Sequence, residues 1–303
     1  MNIWKQVDAN KQRSIFLVFI FVLVVIGIGW LFSNYYGNPA ILYFAVALAL
    51  TQSLVGYYGG DSIILSSSGA QLVTKRSDLP VLWNAVENMS IASGLPMPKV
   101  YVINDPAPNA FATGRDPKHA SIAATTGLLQ VLDKNELEGV VAHEMSHVGN
   151  YDIRLMTIIT VLVSVIAILS DIFVRSQIFG FGRKRDNNSE GGGLMAILSI
   201  VALVLAPIVG TIIQLAISRK REFLADADGA LLTGYPAGLA GALEKISKFS
   251  KPLERANTAT AHLYISNPLG GGNPEEKEPG FLAKTFSTHP PIKERIRLLR
   301  QMS

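Results

Sequence analysis

Residues 133–152 read DKNELEGVVAHEMSHVGNYD. His143 and His147 are four positions apart, which on a helix stacks both imidazoles on one face. Two imidazoles so placed can share one metal ion, and zinc suits them. A catalytic zinc takes a third protein ligand and keeps one position for water. Glu144, next to the first histidine, is placed to take a proton from that water. Asp133 and Glu136 have capping-box spacing and open the helix. Gly149-Asn150 weakens or ends it. Asp152, nine residues after His143, is either a carboxylate that orients a ligand or a surface charge at a membrane boundary.

Working outward, composition narrows the choices. The chain has 303 residues and no cysteine. Disulfides, thiolate ligands and thiol catalysis are therefore excluded, and the metal site must use His and carboxylate. Hydrophobic residues make up 49% and charged residues 17%, with mean hydropathy +0.31. That is too apolar for an ordinary soluble enzyme and points to membrane spans joined to a polar part. The net charge of +4 is spread over span ends and helices. No basic stripe interleaved with aromatics suggests a nucleic-acid partner.

The first apolar stretch, 15–32, reads IFLVFIFVLVVIGIGWLF and carries no charge. It is long enough to cross a bilayer, longer than a secretory signal core, and no small-residue cleavage site follows. A second stretch, from about Ala40 to Tyr58, follows the uncharged turn 34–39. Lys5, Lys11 and Arg13 precede this hairpin, and Lys75 and Arg76 follow it. Both of its ends are thus expected in the cytoplasm. Residues 155–174 and 194–217 form another apolar pair around the basic loop Arg183-Lys184-Arg185. The expectation is four transmembrane helices and the division 1–60, 61–154, 155–217 and 218–303: span hairpin, first catalytic part, second hairpin, second catalytic part.

Between the hairpins, Ser77-Asp78-Leu79-Pro80 opens a helix that stops at Gly94. Segments 99–104, 109–113 and 120–126 alternate like strands. The middle one is a candidate edge strand, able to hold an extended peptide by backbone pairing. After the second apolar pair comes SRKREFLADADG, 218–229. Glu222 and Asp226 stand one turn apart. Glu222 is the missing third ligand, and Asp226 can accept the free ring N–H of a ligand histidine. Residues 230–233 and 236–249 read as helices, and 257–280 as a loop. His262 stands alone and reads as structural. The chain closes with STHPPIKERI, 287–296, and a short basic helix.

PNAFATG, HEMSH, SRKREFLADADG and STHPPIKERI, in this order behind two spans, resemble the HtpX family of bacterial membrane zinc metalloproteases. The likeness covers nearly the whole chain. More distantly, the chain is similar to CAAX prenyl proteases and the mitochondrial protease Oma. The resemblance implies a mainly α membrane protein whose α+β catalytic part is a zincin-like domain with a small β-sheet. It implies one zinc ion per chain on His143, His147 and Glu222, water activation by Glu144, and Asp226 behind a ligand. Asn109 and Phe111 would lie on the substrate-binding edge strand. His289 and Arg295 would approach the metal and stabilise the tetrahedral intermediate; a placed donor there is worth ~2.7–4 kcal/mol. The implied partners are protein or peptide substrates, unfolded or in the membrane, and the lipid bilayer. The implied role is quality control under stress, in the bacterial inner membrane with the catalytic part facing the cytoplasm. Processing of one defined membrane or lipidated peptide, or a catalytically silent adaptor, are the alternatives.

Overall fold

The computed structural model describes residues 3–164, 219–249, 251–256, 259–269 and 290–302. Helix α1 (Ile3–Tyr36) runs 34 residues without a break, taking in the polar stretch before the first span. At 1.5 Å per residue its axis is about 50 Å long, well beyond the bilayer's ~30 Å hydrocarbon core. It ends at Gly37, whose φ of 62° suits glycine. Helix α2 (Ala40–Ser67) folds back along it. At Gly29 a Cβ would stand 2.2 Å from that of Ala45, so only glycine fits this crossing. Both helices are long and apolar enough to cross a membrane, and only 17% of each apolar window is buried. A core helix of a soluble protein would be mostly covered.

Helix α2 does not stop near Tyr58. It continues through Gly59, Gly60 and Asp61, which lower the hydropathy, and its last turns are held by burial of Ile64 and Leu65. Strand β1 (Ala70–Leu72) follows, within the stretch 61–76 that shows no periodicity in sequence. Helix α3 (Pro80–Ser93) begins with proline in its first turn and ends at Gly94 with φ 67°, both as the sequence dictates.

The segments expected as strands form β2 (Lys99–Ile103), β3 (Ala110–Gly114) and β4 (Ala120–Thr125). The sheet order is β1-β2-β4-β3, with β2 parallel to β4 and the other pairs antiparallel. Alternation along the strands sends side chains to two cores. Val100, Ala110, Ala112, Ile122 and Ala124 pack toward α3 and the helix α5 (Lys134–Gly149), which carries the histidines. Ile103, Phe111 and Ala123 pack on the opposite face with Ile64, Leu65 and Tyr264.

A short α4 (Thr126–Val131) leads to α5. The capping box is complete: Glu136 N–H donates to Asp133, and Asp133 N–H donates to Glu136 Oε2 at 2.8 Å. Leu137, Val140, Val141, Met145 and Val148 are all 1% exposed or less. Each is worth about 1.5–3 kcal/mol of burial, so packing and not propensity fixes where α5 lies. A further helix, α6, begins at 152 and is described to 164. It presses on α2, where a Cβ at Gly60 would meet Thr157 Cγ2 at 2.7 Å. Its Ile158 and Leu162 pack with Phe21 of α1. The third expected span starts in α6; its remainder and the whole fourth lie outside the described residues.

Helix α7 (Arg219–Thr233) stops at Gly234, φ 62°, before α8 (Pro236–Ser247). Helix α9 (Ile292–Gln301) closes the chain. The described structure is thus mostly helical around one small mixed sheet, with two helices fit to span a membrane.

Candidate metal centre

The buried face of α5 turns His143, Glu144 and His147 inward, at 1%, 2% and 5% exposure. Helix α7 crosses this face. Its Glu222, Ala225, Asp226 and Gly229 follow helical spacing and are all buried. Gly229 permits the approach: a Cβ there would meet His143 N at 3.0 Å. Glu222 thereby reaches both histidines. Its Oε1 is 3.6 Å from His147 Nε2, and its Oε2 is 3.9 Å from His143 Nε2.

The donor set fits a metal. One atom from each of His143, His147 and Glu222 lies within 4.8 Å of the others. Ligands ~2.0–2.1 Å from a tetrahedral zinc would stand roughly 3.4 Å apart, close to the spacing seen. Both rings present Nε2 to this point because each Nδ1 is engaged behind. His143 Nδ1 is 3.0 Å from Asp226 Oδ1, and His147 Nδ1 is 3.0 Å from Asp152 Oδ2. A carboxylate behind each imidazole fixes its tautomer and orientation.

The two braces are built differently. Asp226 receives a forked pair of bonds from Arg295, Nε at 2.8 Å and Nη2 at 2.7 Å. Arg295 is fully buried and also donates through Nη1 to Ile265 O at 3.1 Å. Its Nη1 lies 3.6 Å from Glu222 and its Nη2 3.4 Å from His143 Nε2. Arg295 therefore stands beside two side chains of the cluster, with its shortest bonds going to Asp226. This guanidinium, forked onto one carboxylate, bonded to a backbone carbonyl and sealed from solvent, fixes Asp226 beside His143. Asp152 is met instead by Asn10 of α1, whose Nδ2 donates to Asp152 Oδ1 at 2.7 Å, and by Arg221 at 3.6 Å.

These surroundings set the proton affinities. Burial pushes Glu144 up to about 7, assisted by the nearby Glu222 and opposed by His147 and the Ala112 N–H. Burial disfavours the charge on His147, yet Asp152, Glu222 and Glu144 outweigh it and raise it to about 9. His143 moves the other way: burial lowers it, with Arg295 and His147 adding to the shift. Burial works against the Asp226 anion, but Arg295 and His143 keep it below the usual carboxylate range. A bound cation would favour the deprotonated ligands further.

Strand β3 lies at one edge of the sheet. Its Asn109 end bonds inward, Asn109 O accepting from Thr125 N. Alternation then turns Ala110, Ala112 and Gly114 outward. Ala110 O accepts from Ile265 N, Gly114 N–H donates to Thr157 Oγ1, and the Ala112 backbone faces Glu144. Asn109 and Phe111 themselves point elsewhere. The Asn109 amide donates to Ser266 O, and the Phe111 ring is fully buried against Tyr264 on the far sheet face. The outward edge consists of the backbone of their neighbours. His289 lies outside the described residues. His262 is buried, its Nε2 3.2 Å from Thr160 Oγ1, away from the metal cluster.

Three contacts were not read from sequence. Asp228 links the helices, accepting from Ser146 Oγ at 2.9 Å. Asn10 and Arg221 grip Asp152. An Asn10–Ser14 pair one turn apart, both buried in a segment that reads as a polar flank, is the only local signal of the α1 contact.

Residues 80–303 match the model of peptidase family M48. "Protease HtpX homolog" of Tropheryma whipplei strain TW08/27 is 48% identical over 293 residues, 97% of this chain and 96% of that one. The Dictyoglomus thermophilum relative of the same name is 45% identical, covering 99% and 94%. The chain belongs to the HtpX group of peptidase family M48. It is a metallopeptidase, and the His143–His147–Glu222 cluster suits a catalytic metal. The crystal structure of S. mikatae Ste24p is also similar, at 18% identity and a TM-score of 0.49, covering 97% of this chain and 66% of that one. In this chain the motif helix follows two long apolar helices.

Proposed function

We propose that this HtpX-type chain is a zinc endopeptidase of the bacterial inner membrane that cleaves unfolded or membrane-embedded proteins. His143, His147 and Glu222 are the ligands. The single observation that carries the reading is the convergence of these groups, each histidine backed by its own carboxylate. Zinc suits two imidazoles and one carboxylate without thiolate.

A zinc held there supplies a Lewis acid for the scissile carbonyl and a water acidic enough to ionise near neutral pH. Glu144 takes the proton of the attacking water and passes it to the leaving amine. In the metal-free site burial pushes its carboxyl up to about 7, toward the range a proton-transferring group needs at neutral pH. Asp226 and Asp152 hold the imidazoles, and Arg295 holds Asp226. An extended substrate pairs with the outward backbone of β3 at Ala112, beside Glu144. Asn109 supports that edge by fixing Ser266 against it, and Phe111 anchors the strand from the far face. His289, in STHPP, is a candidate donor for the developing oxyanion.

The division into a hairpin (1–60), two catalytic parts (61–154 and 218–303) and a second hairpin (155–217) belongs to the same reading. So does a cytoplasmic catalytic part, supported by the basic residues outside the first hairpin. Because α5 leads through one turn into α6, which packs on both spans, the site stands near the bilayer surface. That position suits substrates leaving the membrane.

The test is cleavage of an unfolded protein by the purified full chain in detergent. Wild type should cleave, stop with a chelator and resume with zinc. Glu144→Gln should lose roughly 10²–10⁴-fold. Equal cleavage by the two contradicts the proposal.

A further inference from the structure

The connection between α5 and α6 is a single strained turn. Tyr151 has φ 59°, unusual for a residue with a side chain, and it swings the next residue back toward the metal helix. That next residue is Asp152, and the reversal sets its Oδ2 3.0 Å from His147 Nδ1. An unsupported turn of this kind would relax toward ordinary backbone, and Asp152 would move with it.

Asn150 is held locally by Ser146 and Asp228, and Arg154 lies 5.0 Å from the Tyr151 ring; the hold on Asp152 comes from the N-terminal helix. Asn10, 2% exposed, donates from the same Nδ2 to Asn150 O at 2.9 Å and to Asp152 Oδ1 at 2.7 Å. It bridges the residue before Tyr151 and the residue after it. Lys11, the next residue, places its Nζ 4.5 Å from the centre of the Tyr151 ring. Two consecutive residues of the first helix therefore hold all three residues of the turn. Arg221, beside the ligand Glu222, closes on the same Asp152 oxygen at 3.6 Å.

We propose that Asn10 is a positioning residue for the metal centre: it fixes the 150–152 turn so that Asp152 holds His147 in place. The first membrane helix is then part of the catalytic apparatus as well as an anchor. This rests on His147 being a ligand.

The experiment is a zinc-affinity measurement, by competition with a chromophoric chelator, on the full chain in detergent. Wild type, Asn10→Ala, Asp152→Ala, the double variant, Ser14→Ala and His147→Ala are compared. Asp152→Ala should weaken zinc binding about 10–100-fold, and Asn10→Ala about 10-fold. In the Asp152→Ala background, Asn10→Ala should add nothing, because it acts through that carboxylate. Ser14 is equally buried on the same helix but bonds only the Asn10 carbonyl, so Ser14→Ala should bind as wild type does. Wild-type affinity in Asn10→Ala, or its full effect persisting without Asp152, overturns the proposal. A loss on Ser14→Ala as large as that on Asn10→Ala also overturns it, since general packing would then be the cause. Should Asn10→Ala not accumulate, Asn10→Asp keeps the side-chain shape and sets like charge against Asp152. Its affinity should fall, and wild-type affinity there is equally contrary. Unchanged affinity in His147→Ala removes the ligand assignment itself, a separate failure.

Discussion

His143 and His147 lie one turn apart on one helix, yet opposite ends of the chain brace them. Behind His143 stand Asp226 and Arg295, a forked, charge-assisted pair contributed by α7 and α9. Behind His147 stands Asp152, held by a neutral amide from α1 and by Arg221 at longer range. The Arg295 fork makes two parallel bonds between full charges, whereas Asp152 takes one bond from an uncharged amide and a longer contact from Arg221. The His143 brace is thus the more strongly bonded, and the His147 brace is the one that reaches α1.

The largest effect should come from cutting the stronger brace. Arg295→Leu leaves Asp226 and Glu222 buried without their shared cation, and breaking a buried pair from one side costs about 3–5 kcal/mol. Unfolding free energies should show a smaller loss for Asn10→Leu, about 1–3 kcal/mol. Equal losses would erase the asymmetry. Asp226→Asn and Asp152→Asn come next. Each should weaken metal binding by about 10–100-fold, the first more than the second. The reverse order in a metal titration would show that His147 is the better-held ligand.

The smallest effect separates the histidines by their protons. In the metal-free site His147 is raised to about 9 and is protonated at pH 7.5, whereas His143 is lowered and neutral. A ligand imidazole must be neutral, so metal binding at pH 7.5 should release the His147 proton, in addition to any from the bound water. Affinity should accordingly fall as pH drops below 9. Proton release read by calorimetry in buffers of different ionisation heat should shrink in Asp152→Asn. Undiminished release in that variant would place the proton elsewhere.

The sequence exposed whatever depends on local spacing. The capping box at Asp133, the histidines four apart, Pro80 and Gly94 at the ends of α3, and Glu222 one turn from Asp226 all sit on the elements their spacing implies. The extent of α2 was hidden because Gly59, Gly60 and Asp61 dilute its apolar pattern while tertiary packing keeps it helical. The roles that cross the chain were hidden too. Arg295 meets Asp226 across 69 positions and Asn10 meets Asp152 across 142. Periodicity carries no information at such range, so neither the Arg295 fork nor the Asn10 contact could be read from local spacing. Phe111 shows the same limit: its strand was legible, but which face its ring takes was set by the packing of Tyr264.

In the proposed site His143, His147 and Glu222 together hold one zinc. X-ray absorption at the zinc edge, on wild type and Glu222→Ala in detergent, tests it most directly. Wild type should show one zinc per chain with two imidazole nitrogens and carboxylate or water oxygen at about 2.0–2.1 Å, and Glu222→Ala a change in the oxygen shell alone. Zinc bound without imidazole, or a shell unchanged by Glu222→Ala at full affinity, would contradict it.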